Sequence, residues 1–274
     1  MSYPQIAITS QAFTCSGELI DFCREQDCFA VEYTFNRSLM TPQEIDSELP
    51  EIRKLSDAGC KLRYHLAFPG REIAHSNPET ARSAVIFYEH CLKSIARLGG
   101  NFATMHIGLG PYREEEIDYS TAVCNLNRLV SFGQDLGVEL ALENLRKGRL
   151  NPPKNFQKLI NDSDAWATLD IGHALAREKK AGRPGYALDY IRHTGPRIRE
   201  AHVYEIEKRA PNNGSVYHAP PENLDIIQPL LDDLISSSAC DYWLIELTDK
   251  KSLAHTLELL RNYLSTFPAF NAAV

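Results

Sequence analysis

Carboxylate and histidine side chains recur at the ends of apolar stretches in this sequence. The segment WATLDIGHALA (166–176) is apolar until Asp170 and reaches His173 three residues later. Several carboxylates on one face repel each other unless they are protonated or neutralised by a cation. Imidazole and carboxylate ligands suit Mn, Zn, Co or Fe, so the pattern predicts a divalent-metal site. The residues that end the stretches are Glu32, His65, His106, Glu143, Asp170, His202 and Glu246.

Each of these residues also has a structural explanation when it is taken alone. A carboxylate at a strand end often caps the next helix, and a buried histidine often only satisfies a core hydrogen bond. However, residues that can bind metal recur at the ends of successive apolar stretches, and this recurrence favours one shared site. The set contains no cysteine, which excludes a closed thiolate zinc site.

The elements that position these side chains follow from the hydrophobic pattern. Segments 79–99 and 119–137 have apolar residues every three or four positions and end in glycine, as helices do. Strand and helix repeat eight times in 274 residues, which predicts an α/β fold, a single-domain (β/α)8 TIM barrel over residues 1–274. An open doubly wound sheet fits less well because no glycine-rich turn follows the first strand. The predicted strands are 5–10, 28–34, 61–68, 101–108, 137–144, 165–172, 198–205 and 241–248.

Composition narrows the class of protein further. The net charge of −7 and the pI near 5.7 argue against a nucleic-acid partner. No apolar stretch approaches the roughly 20 residues that a membrane span needs, and the first residues do not form a signal-peptide pattern. The seven cysteines are odd in number and scattered, with no C-x-x-C pair. We therefore expect a cytoplasmic protein with reduced thiols and no membrane association.

Four short motifs resemble the xylose isomerase-like TIM barrels. They are ALEN (141–144), LDIGH (169–173), AHVYE (201–205) and IEL (245–247), and they occur in the family's order. This superfamily includes sugar-phosphate isomerases and epimerases, ketose 3-epimerases, inosose dehydratase and endonuclease IV. The resemblance implies that one divalent metal (Mn, Zn, Co, Mg or Fe) is bound by Glu143, Asp170, His202 and Glu246.

The same resemblance implies roles for four histidines. It places His173, on a loop after the sixth strand, against substrate or a further metal. His218 lies in VYHAPPENLD (216–225), which resembles a family loop over the site but lacks its glycines. His65 and His106 match positions that contact substrate in the sugar-acting members, so they are substrate-binding candidates together with His218. In endonuclease IV the matching histidines bind a second metal, which would here lie between His65, His106 and Glu143.

The expected activity is that of a metal-dependent isomerase or epimerase of a sugar, sugar phosphate or related polyhydroxy ketone. In that reaction a metal-stabilised enediolate forms, with Glu143 and Glu246 as base and acid and His173 polarising a substrate oxygen. A dehydratase would use the same enediolate. Arg146 could meet a substrate phosphate or be a solvated loop charge.

The alternative activity is an endonuclease IV-like zinc phosphodiesterase acting on abasic DNA. Its third zinc would need an aspartate where this chain has Val216, which argues against a full trinuclear site. A regulatory barrel without activity would have lost the site carboxylates, which this chain retains. We expect a small-molecule carbohydrate substrate, and homo-oligomers are common among such barrels.

Overall fold

The computed structural model describes residues 3–39, 41–209 and 216–267. Its strands are β1 (Gln5–Thr9), β2 (Ala30–Thr34), β3 (Lys61–Leu66), β4 (Phe102–Met105), β5 (Glu139–Glu143), β6 (Trp166–Asp170), β7 (Ile198–Val203), β8 (Ile206–Arg209), β9 (Val216–Ala219) and β10 (Tyr242–Ile245). Strands β1 to β7 and β10 close a parallel barrel in the order β1-β10-β7-β6-β5-β4-β3-β2. All eight barrel strands coincide with predicted strands, which confirms the (β/α)8 TIM barrel.

Helices surround this barrel and connect its strands. They are α1 (Ser16–Gln26), α2 (Pro42–Asp57), α3 (Pro78–Arg97), α4 (Tyr119–Asp135), α5 (Pro153–Ser163), α6 (Ile171–Ala181), α7 (Leu188–Thr194), α8 (Gln228–Ser237) and α9 (Lys250–Ser265). The predicted helices correspond to α3 and α4. Gly99 and Gly137 follow these two helices with φ of 77° and 74°, a left-handed conformation that favours glycine.

Capping side chains fix where several helices begin. The Thr41 hydroxyl accepts from the backbone of Glu44, whose carboxylate accepts from Thr41 in return, so α2 starts with a capping box. The side-chain oxygens of Asn77 and Asp118 cap α3 and α4 by accepting from backbone N–H groups of the first turn. The apolar faces of α3 and α4 are buried against the barrel, which leaves the strand ends as the place for polar chemistry.

Two features of the chain differ from the sequence prediction. Helix α6 begins at Ile171, directly after β6, so His173 lies in its first turn and the predicted loop position of His173 is wrong. An antiparallel hairpin of β8 and β9, which was not predicted, follows β7, with Glu207 paired to His218. In the described parts of the chain, no helix combines the length and apolar character that crossing a membrane requires.

Candidate metal and active site

The four expected metal ligands lie on adjacent strands at the C-terminal end of the barrel. Glu143 and Asp170 are the last residues of β5 and β6, His202 lies in β7, and Glu246 directly follows β10. All four side chains are buried. The Nδ1 atom of His202 lies 3.3 Å from Glu143 Oε2 and 3.3 Å from Glu246 Oε2. Asp170, His202 and Glu246 each offer a ligand atom within 4.8 Å of the other two.

Unsatisfied atoms in this cluster fit a bound cation. Glu143 Oε2 and His202 Nδ1 are buried and lack a hydrogen-bond partner among the described residues. Burying such atoms without a partner is unfavourable. A divalent cation would satisfy both, and three carboxylates with one imidazole are suitable ligands for Mn, Zn, Co or Fe.

His65 and His106 converge on one oxygen of this cluster. Their Nε2 atoms lie 3.3 Å and 3.0 Å from Glu143 Oε2, and both rings are buried. His65 Nδ1 lies 3.3 Å from Glu32 Oε1 on the neighbouring strand β2. One ligand atom each of His65, His106 and Glu143 lies within 4.8 Å of the others. This arrangement suits either a second cation or a substrate oxygen.

Asp170 is both a helix cap and a member of the cluster. Its Oδ1 accepts from the backbone N–H of His173 at 2.6 Å, which caps α6. Its Oδ2 accepts from the Tyr204 hydroxyl at 3.1 Å. The Asn144 side chain exchanges two hydrogen bonds with the Asp170 backbone, at 2.8 and 3.1 Å. The two sequence interpretations of this carboxylate, cap and ligand, therefore do not exclude each other.

The first turn of α6 aims His173 across the mouth of the site. Its Nδ1–H donates to the carbonyl of Asn144 at 2.9 Å. Its Nε2 lies 3.4 Å from Glu207 Oε1 in the hairpin. Glu207 Oε2 also pairs with Arg146 Nη1 at 2.5 Å, so Arg146 is in an ion pair rather than being a solvated loop charge.

The hairpin holds His218 above the cluster. The His218 ring stacks on Tyr204 with centroids 3.8 Å apart and planes 1° from parallel. Its Nδ1–H donates to the backbone carbonyl of Glu246 at 3.0 Å. These contacts place His218 over the site, as the resemblance implied, although the carboxylate beside it comes from Glu207 and not from position 216.

Electrostatics keep the two flanking glutamates ionised. Burial raises the pKa of Glu246, but His218 and His202 outweigh this effect and hold the pKa at about 2. Burial acts in the same direction on Glu143, and His106 and His202 hold its pKa well below the usual range. Both residues are therefore carboxylates near neutral pH.

The remaining site groups respond to the same charges. Burial raises the pKa of Asp170 to about 6, with His173 opposing and Glu143 and Glu246 adding to the rise. Burial lowers the pKa of His173, but Asp170 and Glu207 raise it to about 10. Burial lowers the pKa of His106, which Glu143 only partly offsets. The cluster thus attracts positive charge, whether as imidazole protons or as a divalent cation.

Three charged residues near the site were not identified from the sequence as candidates. Glu207 contacts His173, Glu200 lies 3.2 Å from His202 Nε2, and Arg63 pairs with Glu200. Arg63 and Glu200 each precede a site histidine by two residues, so strand alternation points them to the same side. That alternation is the signal that could have found these two residues.

Comparisons with known proteins agree with the fold. A family model described as xylose isomerase-like TIM barrel matches residues 20–223. The chain is 30% identical over 186 residues to the uncharacterised protein MJ0008 of Methanocaldococcus jannaschii, covering 68% of this chain and 76% of that protein. It is 27% identical over 183 residues to D-psicose 3-epimerase of Agrobacterium fabrum, covering 62% of this chain and 61% of that protein.

A solved structure shares nearly the whole fold. The structure of a D-tagatose 3-epimerase-like protein superposes with a TM-score of 0.72 at 19% identity, covering 96% of this chain and 97% of that one. At this identity the likeness concerns the fold.

Proposed function

Since this chain belongs to the xylose isomerase-like TIM barrel family, we propose that it is a divalent-metal-dependent isomerase or epimerase. Its substrate would be a sugar, a sugar phosphate or a related polyhydroxy ketone. The similarity to D-psicose 3-epimerase supports a ketose. Glu143, Asp170, His202 and Glu246 would hold the cation.

The observation that carries this proposal is that two ionised glutamates from different strand ends converge on one imidazole nitrogen. Glu143 and Glu246 come from β5 and β10, which flank β6 and β7 in the barrel, and each lies 3.3 Å from His202 Nδ1. An epimerase must remove a proton from one face of a carbon and return one to the other face. Two carboxylates on opposite sides of the substrate can perform these two transfers.

The bound cation would stabilise negative charge on the substrate oxygen next to the reacting carbon. Glu143 and Glu246 would then act as base and acid: the lowered pKa of both residues leaves either one ionised to take the proton from carbon, and the other must take up a proton from solvent before it can return one. His173, whose pKa is raised to about 10, would donate a hydrogen bond to a second substrate oxygen. The remaining ring nitrogen of His173 is fixed by the Asn144 carbonyl, which sets the orientation of the donor.

A cleft that extends between α1 and α2 adjoins the site through Gln11 and would admit part of the substrate. It has a volume of about 720 Å³ and lies at the C-terminal ends of β1 and β2, where it is lined partly by Gln11, Phe13 and Asn36. Gln11 Nε2 donates to Glu246 Oε1 at 3.3 Å, so the cleft adjoins the cluster. An aromatic wall with amide groups suits a polyhydroxylated ligand of one sugar ring.

Solvent exchange tests the proposal before the substrate is known. We expect the purified chain with Mn²⁺, Co²⁺ or Zn²⁺ to incorporate deuterium from D₂O into a ketose of a C5 and C6 panel, followed by NMR. Glu246→Gln should keep the fold by circular dichroism and lose at least about 100-fold of the exchange, in the range for losing an acid–base group. Glu258→Gln, which alters an exposed carboxylate on α9, is the matched control. No bound metal and no exchange with any of these ions would contradict the proposal.

The convergence of His65 and His106 on Glu143 Oε2 supports the second candidate, a zinc phosphodiesterase acting on abasic DNA. A phosphodiester substrate would require at least two cations and groups that neutralise phosphates. Arg146, which borders the site, is already paired with Glu207. Counting zinc ions per chain and incubating the protein with an abasic oligonucleotide separates the candidates. Two or more ions together with cleavage would favour the phosphodiesterase.

A further inference from the structure

The barrel interior beneath the site contains a buried ion pair. Arg63 on β3 and Glu200 on β7 come from strands four places apart in the closed barrel of eight, so they meet across its interior. Arg63 Nη1 lies 3.0 Å from Glu200 Oε2, and the Glu200 side chain is fully buried. Barrel interiors of this fold are usually filled by branched apolar residues. The pair therefore requires an explanation.

Stability does not supply that explanation. A buried ion pair loses most of its Coulomb energy to desolvation, and apolar residues of similar volume are often at least as stable. The surroundings nevertheless hold Arg63 firmly. Its Nη2 donates to Asp241 Oδ1 at 2.8 Å, and its guanidinium lies 4.2 Å and 4.1 Å from the ring centres of Phe102 and Tyr242.

The carboxylate oxygen of Glu200 that does not contact Arg63 points toward the metal cluster. Glu200 and His202 are two residues apart on β7, so both face inward, with Glu200 one layer lower. Glu200 Oε1 lies 3.2 Å from His202 Nε2 in hydrogen-bonding geometry. Glu32 Oε2 lies farther away, at 3.5 Å, and forms no hydrogen bond among the described residues. Glu200 is thus the acceptor for this ring nitrogen.

We propose that Glu200, held in place by Arg63, is a positioning residue for His202. It accepts the Nε2–H proton of the imidazole and so keeps Nδ1 unprotonated and facing Glu143 and Glu246. The other contact of a ligating histidine decides which of its nitrogens binds metal, and changing that contact typically weakens metal binding about 10- to 100-fold. This inference rests on the proposed metal centre. It adds a chain of contacts that holds His202 in place and runs from Glu200 through Arg63 to Asp241 at the N-terminal ends of the strands.

Zinc affinity measured against a chromogenic chelator tests the inference without any assay of turnover. We expect Glu200→Met, which removes the acceptor, to bind zinc about 10- to 100-fold more weakly than the natural chain. The matched control is Glu89→Met, which breaks a glutamate–arginine pair with Arg128 on the outer helices and should bind within about twofold of the natural chain. Unchanged affinity in Glu200→Met would overturn the inference while leaving the metal centre intact.

The ring nitrogens give a second readout that a merely structural role would not change. Long-range ¹H–¹⁵N NMR of the zinc-loaded natural chain should show His202 protonated at Nε2 and metal-bound at Nδ1. Zinc on Nε2 would overturn the inference. A natural chain that binds no zinc, manganese or cobalt would overturn the proposed function together with it.

A double variant separates the lost acceptor from the charge left on Arg63. Arg63→Met with Glu200→Met removes both charges and fills the interior with side chains of similar size. We expect this variant to fold and to show the same loss of zinc affinity as Glu200→Met. Recovery of the natural affinity would overturn the inference, because the loss in Glu200→Met would then come from the unpaired arginine.

Discussion

At Asp170, one carboxylate oxygen accepts from the backbone of His173 and the other faces Tyr204 and the metal cluster. The same side chain therefore starts a helix and contributes to the site. A helix cap fixes the position of the carboxylate as well as the helix, so the proposed ligand is already oriented by local structure. This coupling explains how a strand can pass into a helix within one residue and still offer a ligand.

Substitutions of Asp170 should separate these two roles. Asp170→Asn retains an oxygen for the His173 N–H, so we expect the free energy of unfolding to change by less than about 1 kcal/mol. Asp170→Ala loses the cap and leaves Tyr204 without this partner, which should cost about 2–4 kcal/mol in total. Both variants should bind zinc at least about 10-fold more weakly.

Urea denaturation of the metal-free proteins and chelator competition measure the two effects. If Asp170→Ala unfolds at the same urea concentration as the natural chain, the cap contributes nothing and the stability argument is wrong.

The type and order of the main site residues could be predicted because each ends an apolar stretch. Glu143, Asp170 and His202 were recognisable for this reason. Arg63 and Glu200 lie within their strands, where the same inward direction is normally taken by apolar side chains. Their pairing depends on closure of the barrel, which brings β3 opposite β7, and a linear pattern does not show which charges will meet.

At the scale of elements, helix α6 packs closely against Tyr204, the residue that directly follows β7. A Cβ atom on Gly172 would lie 2.0 Å from Cε2 of the Tyr204 ring, closer than any real contact. Tyr204 is fully buried, donates to Asp170 and stacks on His218. Glycine in LDIGH is therefore required by packing between α6 and Tyr204.

Gly172→Ala should displace Tyr204 and with it the stacked His218. We expect a loss of about 1–3 kcal/mol in the free energy of unfolding, as for other overpacked sites, and a loss of deuterium exchange activity. Gly17→Ala is the control, because its new Cβ would meet only Cys15 Sγ, at 3.9 Å, within helix α1. That variant should be neutral or stabilised by up to about 1 kcal/mol. Equal stability of Gly172→Ala and Gly17→Ala in urea would contradict the packing argument.

The hairpin of β8 and β9 could not be predicted from hydrophobic pattern. Each of its strands has only four residues, of which half are exposed. From sequence, the polar segment IEKR (206–209) therefore cannot be distinguished from a loop after β7. The contacts of Glu207 depend on antiparallel pairing with His218. That pairing is supported by the packing of His218 on Tyr204, a tertiary contact that the hydrophobic pattern does not show.

At the scale of the whole molecule, the metal cluster brings together residues from four of the eight barrel strands. Its four residues come from β5, β6, β7 and the end of β10, which are consecutive neighbours. A cation held by all four would bind the folded chain and have no preformed site in the unfolded one. Metal binding should therefore raise the stability of the entire barrel.

We expect saturating Zn²⁺ or Mn²⁺ to raise the thermal unfolding midpoint. At a free metal concentration 100 times the dissociation constant, the gain is about 2.7 kcal/mol, which corresponds to roughly 5–10 °C for a domain of this size. A chelator should reverse the shift in calorimetry. Glu246→Gln should show a smaller shift and Glu258→Gln the full shift, because only the first change lies in the cluster. Equal shifts in these two variants would mean that the cation binds elsewhere. The proposal that one cation is held by residues of these four strands would then be wrong.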